Sequence, residues 1–227
     1  MPPVGASRLA SDHLLELGVK FLLSYFIGSL MGSMVMGRFR GVDIRTMGSG
    51  NAGGTNALRT QGMVFALGVM VIDIGKGAIG AGVIPHLDIP LVGIDDAISR
   101  VWLTLSCAAA VVIGHVWPMW HGFRGGKGAA TLVGTLLILA PAILLPVLMM
   151  WAWVLVLFGY VGLATMAAAV AAPLYIAVTR LPDDQPLFIY CTVLALLLIF
   201  THRSNIRRMR DGSESRNTRL MVFRKNP

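Results

Sequence analysis

Three short polar islands, set in an otherwise apolar chain of 227 residues, carry the residue types that can do chemistry. The first, Met47–Arg59 (MGSGNAGGTNALR), sets Gly48, Gly50, Gly53 and Gly54 among Ser49, Asn51, Thr55 and Asn56 and closes on Arg59 at the head of an apolar run. Such a loop can turn backbone N–H groups and hydroxyls toward an anion, and an arginine adds a bidentate fork. The second, Gly114–Thr131 (GHVWPMWHGFRGGKGAAT), leads Gly125, Gly126, Lys127 and Gly128 straight into an apolar stretch. Glycines let the chain approach a phosphate, the start of the following helix presents N–H groups, and Lys127 adds a point charge. The third, Phe200–Glu214, holds His202 and Asn205 three residues apart at the end of an apolar run, on one face of an expected helix, with Arg207, Arg208 and Arg210 after them.

Each island also has a plainer reading. Gly48, Gly50 and Gly53 spell G-x-G-x-x-G, but no βαβ unit surrounds them, so no dinucleotide site is implied. The second island is not a Walker A loop, since its spacing differs and Gly128 stands where Ser or Thr is needed. With Trp117 and Trp120 it also reads as an ordinary basic loop with aromatic anchors. The later arginines suit a patch for anionic lipid head groups, an account that leaves His202 and Asn205 unexplained. The sequence has no H-x-x-x-x-D acid/base pair, no G-x-S-x-G elbow and no H-E-x-x-H or Cys/His cluster. The basic loops carry no paired carboxylates suited to magnesium.

The elements that must position these islands follow from composition. Hydrophobic residues make up 56% of the chain and charged ones 13%, with a mean hydropathy of +0.72. Soluble domains average about 25% charged residues, so this chain has too little charge to coat a water-exposed surface. A soluble enzyme, a disordered chain and a collagen-like fibre are excluded. The fold class is all-α, a polytopic membrane helix bundle. The net charge of +8 does not point to nucleic acid, because basic membrane proteins gather Lys and Arg on cytoplasmic loops. Cys107 and Cys191 lie inside apolar runs and read as small buried hydrophobes rather than a disulfide or metal site.

Spans are expected at about 17–37, 63–84, 97–117 and 186–202. Arg38–Gln61, Pro118–Gly128 and the tail after Thr201 are basic, whereas Pro85–Asp96 and Leu181–Pro186 carry only Asp. The positive-inside rule puts the first three in the cytoplasm and the other two outside. The charge-free block Ala129–Thr179 must then cross an odd number of times. Three short crossings (129–147, 148–161 and 163–179) give seven spans, N-terminus out and C-terminus in, with breaks or kinks at Pro141, Pro146 and Gly159–Gly162. One span with a re-entrant segment meets the same parity. The expected organisation is an extracytoplasmic extension over 1–16, a membrane domain over 17–202 and a basic cytoplasmic tail over 203–227. Gly28 and Gly32 form a G-x-x-x-G suited to internal helix packing. Asp73 and Lys76 share one helix face deep in a span, either as a structural pair or as a support for the islands.

Together the islands resemble the bacterial acyl-phosphate:glycerol-3-phosphate acyltransferase family. Its first motif, G-S-G-N-x-G-x-T-N-x-x-R, is met by Gly48–Arg59; its G-H-x-x-P…F-x-G-G-K-G-x-A-T pattern by Gly114–Thr131; and its H-R-x-N-I-x-R-x-x-x-G-x-E by His202–Glu214. The D-x-x-K-G of Asp73–Gly77 is also familiar from that family. The resemblance implies a seven-helix inner-membrane enzyme with its site on the cytoplasmic side, which needs no cofactor and no metal. Its substrates are acyl phosphate and glycerol 3-phosphate, and its products lysophosphatidic acid and phosphate, in phospholipid synthesis. Membrane lipid surrounds it, and neither nucleic acid nor an obligate protein partner is implied.

Residue by residue, the resemblance gives catalytic roles to Ser49, Arg59, Lys127, His202 and Asn205. Phosphate binding falls to Gly50, Asn51, Thr55, Asn56, Gly125, Gly126 and Gly128, and support to Asp73, Lys76 and Glu214. These distant segments are expected to converge on one anion pocket reachable by a lipid tail. A direct transfer is expected, with Ser49 and Asn205 holding carbonyl or phosphate oxygens and Arg59 and Lys127 stabilising phosphates. Proton transfer to a substrate phosphate is preferred to His202 as base. Family members carry Ser near Tyr160–Ala164, where this chain reads GYVGLATM, so Thr165 is a candidate replacement. Trp120 stands where Phe is usual. The competing reading is a transporter of anionic or phosphorylated solutes built from broken, glycine-rich helices.

Overall fold

The computed structural model describes residues 4–222, with side chains for 15–218 and 220–222. Its regular elements are α1 (Val4–Ser29), α2 (Gly32–Arg40), α3 (Gly54–Gln61), α4 (Met63–Gly82), α5 (Arg100–Val116), α6 (Ala129–Leu139), α7 (Pro141–Phe158), α8 (Val161–Thr179), α9 (Gln185–Thr201) and α10 (Arg203–Arg210). Short 3₁₀ turns join several of them, and no strand occurs among the described residues. The chain divides into two compact units, Met1–Leu139 and Ala140–Pro227.

In the first unit α5 lies along α1, and α4 packs on α6, α5, α3 and α2. Gly28 of α1 faces the backbone of Val111, and Gly114 of α5 faces the carbonyl of Tyr25, so a Cβ at either site would collide with the partner helix. Small residues let helices approach until their backbones touch, which supplies packing where the solvent is itself apolar. Gly28 therefore serves internal packing. Gly32 does too, but across a break at Leu30–Met31, where it meets Val69 and Asp73 of α4 rather than sharing a face with Gly28.

A buried polar knot also ties this unit together. Glu16 is fully buried and receives Lys20 Nζ at 2.7 Å, both Arg100 amino groups at 2.7 and 2.9 Å, and the Asp95 N–H at 2.9 Å. Lys20 also donates to the Pro85 carbonyl at 3.0 Å. Helix α1 runs unbroken through position 16, where the N-terminal extension was expected to end; residues 1–3 and the side chains of 4–14 lie outside the described set.

In the second unit α8 packs between α7 and α9, and α10 touches both α8 and α9. Residues 216–222 fold back on this unit: the Asn217 N–H donates to the Gly159 carbonyl at 2.8 Å, and Arg216 Nε to the Phe158 carbonyl at 2.9 Å. Residues 223–227 of the expected tail are outside the described set.

Among the described residues, five segments are long and apolar enough to cross a membrane: Leu15–Arg40, Met63–His86, Arg100–His121, Pro141–Phe158 and Val161–Thr179. A sixth arises if α9 and α10, bent by 50°, count as one. The crossing expected at 129–147 shortens to α6, whose 11 residues reach only about 16 Å against a hydrocarbon core of ~30 Å. The expected division at 147/148 moves to Ala140. Pro141 lacks the N–H that would continue α6 and instead opens α7, while Pro146 lies inside α7 without ending it. Gly159, at φ 76, separates α7 from α8.

Candidate active site

The first island is a braced loop followed by its own short helix. The Asp43 carboxylate accepts from the Arg45 N–H at 2.9 Å and grips its guanidinium through both oxygens, with Nη2 at 2.7 Å. That guanidinium holds Asp43 below the usual carboxylate range, and Asp43 in turn raises Arg45. Arg45 also donates to the carbonyls of His121 at 3.2 Å and Arg124 at 3.4 Å, which ties this loop to the second island. Asn56 is 1% exposed. Its oxygen accepts the Ser49 N–H at 2.9 Å, and its Nδ2 donates to Ile44 and Met47 carbonyls at 2.9 and 3.0 Å.

Asn56 thus braces the loop from within, its amide engaged by the loop's own backbone. Ser49 stands exposed at the loop, and Thr55 and Arg59 share the exposed face of α3, one turn apart. Asn51 folds back toward Gly53, and Gly50 adopts φ 71. Arg59 does not open the second span as expected: Gly62, at φ 85, closes α3 before α4 begins.

In the second island, Gly125 and Gly126 press onto the last turn of α5. Their N–H groups donate to the carbonyls of Val116 at 3.2 Å and His115 at 3.1 Å, and a Cβ on either glycine would collide with that turn. These two N–H groups are therefore engaged within the protein, so what the two glycines contribute is close approach. The phosphate-facing potential rests on Lys127, half-buried, and on α6, whose first-turn N–H groups lack intrahelical partners. Gly128 at φ 91 makes the turn into that helix.

Beneath this loop lies a buried polar cluster. Lys76 Nζ reaches Gly28 and Leu30 carbonyls at 2.8 Å each, His115 Nδ1 at 2.8 Å and Asp73 Oδ1 at 3.0 Å. Asp73 Oδ1 also accepts the Gly32 N–H at 3.1 Å. His115 entered the sequence reading only as the H of the G-H-x-x-P motif, with no role given to it. Its signal was present, since no Asp, Glu, Lys or Arg and no other His lies between Val101 and Val116, and polar groups inside spans usually mark function.

The third island lies in the second unit. His202 and Asn205 were expected on one continuous helical face; instead His202 sits at the 50° bend, and Asn205 is in the first turn of α10. His202 Nδ1 lies 2.7 Å from the Leu198 carbonyl, which can only accept, so Nδ1 carries the proton and Nε2 is the ring's basic nitrogen. Asn205 Nδ2 donates to Glu214 at 2.9 Å, and Arg208 Nε holds the other Glu214 oxygen at 2.6 Å. Gly162 leaves room for the Asn205 amide. The Thr165 hydroxyl donates to the Val161 carbonyl at 2.9 Å and faces Trp151 Nε1 at 3.3 Å.

Residues 19–212 match the family model described as glycerol-3-phosphate acyltransferase. The chain belongs to that family. A glycerol-3-phosphate acyltransferase of Rhodospirillum rubrum is 42% identical over 203 residues, covering 89% of this chain and 91% of its own. One from Chlorobium luteolum is 38% identical, covering 86% and 94%. Among solved structures, the glycerol 3-phosphate form of PlsY, an integral membrane glycerol 3-phosphate acyltransferase, superposes with a TM-score of 0.75 at 31% identity over 88% of this chain and 94% of that one. Its lysophosphatidic acid form gives 0.73. Its apolar helices and its likeness to that structure make the chain an integral membrane protein.

Proposed function

We propose that this protein is a glycerol-3-phosphate 1-O-acyltransferase that takes its acyl group from acyl phosphate and releases lysophosphatidic acid and inorganic phosphate. The observation that carries this reading is the Ser49 loop: an exposed serine on an internally braced glycine turn, followed one helix on by exposed Thr55 and Arg59. Both substrates carry phosphate, and a braced loop with a guanidinium fork suits an oxyanion. Matches to acyltransferases along most of the chain support the same conclusion. The enzyme works in the inner membrane, N-terminus out and C-terminus in, with its chemistry on the cytoplasmic side.

Acyl phosphate is a mixed anhydride with a good leaving group, so the transfer needs chiefly positioning and charge stabilisation. The 1-hydroxyl oxygen of glycerol 3-phosphate attacks the acyl carbon, the bond from that carbon to the phosphate oxygen breaks, and phosphate leaves with the bonding pair. Arg59 and Lys127 stabilise phosphate charge, and Ser49 and Asn205 hold oxygens of the reacting groups. The hydroxyl proton goes to an oxygen of a substrate phosphate, with His202 Nε2, left basic by the Nδ1 bond to the Leu198 carbonyl, as the alternative acceptor. Glu214 orients the Asn205 amide.

Purified Arg59→Ala and Lys127→Ala enzymes test the assignment by steady-state kinetics. Each is expected to raise KM for a phosphorylated substrate by about ten- to a hundredfold, the weight of a charge-assisted hydrogen bond. Unchanged KM values in both would overturn it. A hydroxylamine-sensitive acyl adduct on Ser49 would overturn direct transfer in favour of a covalent route.

A further inference from the structure

The Asp73–Lys76–His115 cluster takes no part in the reaction above, yet it is a densely bonded, buried polar group of the first unit. Lys76 is 4% exposed and Asp73 1%. A lysine ammonium has three N–H donors and no acceptor. Here they are shared among two carbonyls from the α1–α2 break, a carboxylate on its own helix and a ring nitrogen on α5. Burying an ion pair in a span is costly, and well-packed apolar residues generally serve stability as well or better. Stability alone therefore does not account for the cluster, and its position relative to the glycine loop does.

The His115 ring lies directly under Gly126. A Cβ on Gly126 would run into Nε2, and the Cε1 and Cδ2 atoms follow at 2.8 and 3.1 Å. The same residue's carbonyl receives the Gly126 N–H. His115 thus touches the loop with both its side chain and its backbone, and Lys76 fixes the ring from the other side. We propose that Asp73, Lys76 and His115 are positioning residues that seat the Gly125–Gly126 turn and so set where Lys127 and the start of α6 stand. The proposal rests on the reading of Lys127 and the start of α6 as a phosphate cradle. It gives Gly126 a specific reason to be glycine: the ring below it occupies the space a side chain would need.

A double-mutant cycle tests the seat, with KM as readout because KM does not depend on how much of the preparation is folded. Lys127→Ala identifies which phosphorylated substrate, glycerol 3-phosphate or acyl phosphate, the cradle binds. Gly126→Ala is expected to raise that same KM by at least about tenfold, and His115→Ala added to it to recover at least about fivefold by vacating the colliding space. Multiplicative effects with no recovery would overturn the proposal. Should Gly126→Ala fail to fold, Lys76→Met decides: that KM rises at least about fivefold with kcat little changed if Lys76 positions the loop, and stays put if it does not. If Lys127→Ala leaves both KM values unchanged, the cradle reading itself falls, whatever the coupling between His115 and Gly126.

Discussion

Asn56→Ala should damage this enzyme from inside the first loop rather than at a ligand. The side chain makes three hydrogen bonds, at 2.9, 2.9 and 3.0 Å, to the Ser49 N–H and the Ile44 and Met47 carbonyls. At about 0.5–1.5 kcal/mol net for each, the loss comes to about 2–4 kcal/mol. A chain of this size shifts its melting midpoint by about 2–4 °C per kcal/mol, so the midpoint should fall by roughly 5–15 °C. A thiol-reactive dye can follow the transition in detergent, because Cys107 and Cys191 are free and buried, 0% and 3% exposed, and become reactive on unfolding. Activity should fall with it, since the Ser49 N–H loses its anchor. Asn56→Asp keeps the oxygen that accepts from Ser49 but turns a second oxygen toward two carbonyls, so it should be at least as harmful as alanine. Thr55→Ala, on the exposed face of α3, should leave the midpoint within about 1–2 °C. A tolerated Asn56→Asp, or an unchanged midpoint for Asn56→Ala, would refute the reasoning.

The remaining expectations use the same melting assay. Gly114→Ala should lower the midpoint by driving a methyl into the Tyr25 carbonyl, while Gly18→Ala, with nothing within 4 Å, should leave it unchanged or raise it. Glu16→Ala strands buried Lys20 and should cost about 3–5 kcal/mol; Glu16→Leu with Lys20→Leu should recover much of it, and equal losses in the two would show the pair is not what matters there. Asp43 has a folded pKa below its ordinary 3.8, so its contribution is complete above that value and is lost as pH falls through the lower, folded one. Melting scans from pH 7 to pH 3 should show an acid-limb loss that Asp43→Asn flattens, and an identical limb in the variant would remove Asp43 as its source.

Legibility in the sequence varied with the scale of the physics involved. Helical membrane architecture follows from long charge-free runs, and the spans now α4, α5 and α8 were readable to within a few residues. The breaks were harder, because Pro141 and Pro146 look alike in sequence; only the one at the first position of a helix separates two helices, while the other sits within a turn that neighbouring residues hold together. Island composition singled out segments but not the direction in which each of their groups points. Asn56 and the Gly125 and Gly126 N–H groups turn inward because Ile44, Met47, His115 and Val116 offer carbonyls there, and such pairings between distant positions leave no local pattern. His115 illustrates the same limit: its partner Lys76 is 39 residues away. Similarly, Arg45 read only as a loop charge, while its bonds to His121 and Arg124 bridge 76 and 79 residues.

The most direct measurement is donor use by the purified enzyme in detergent, with glycerol 3-phosphate as acceptor. Acyl phosphate should yield lysophosphatidic acid and inorganic phosphate in equal amounts, with phosphate release dependent on glycerol 3-phosphate and with neither CoA nor acyl carrier protein supplied. Product formed from an acyl thioester but not from acyl phosphate, or phosphate released at the same rate without the acceptor, would contradict the account.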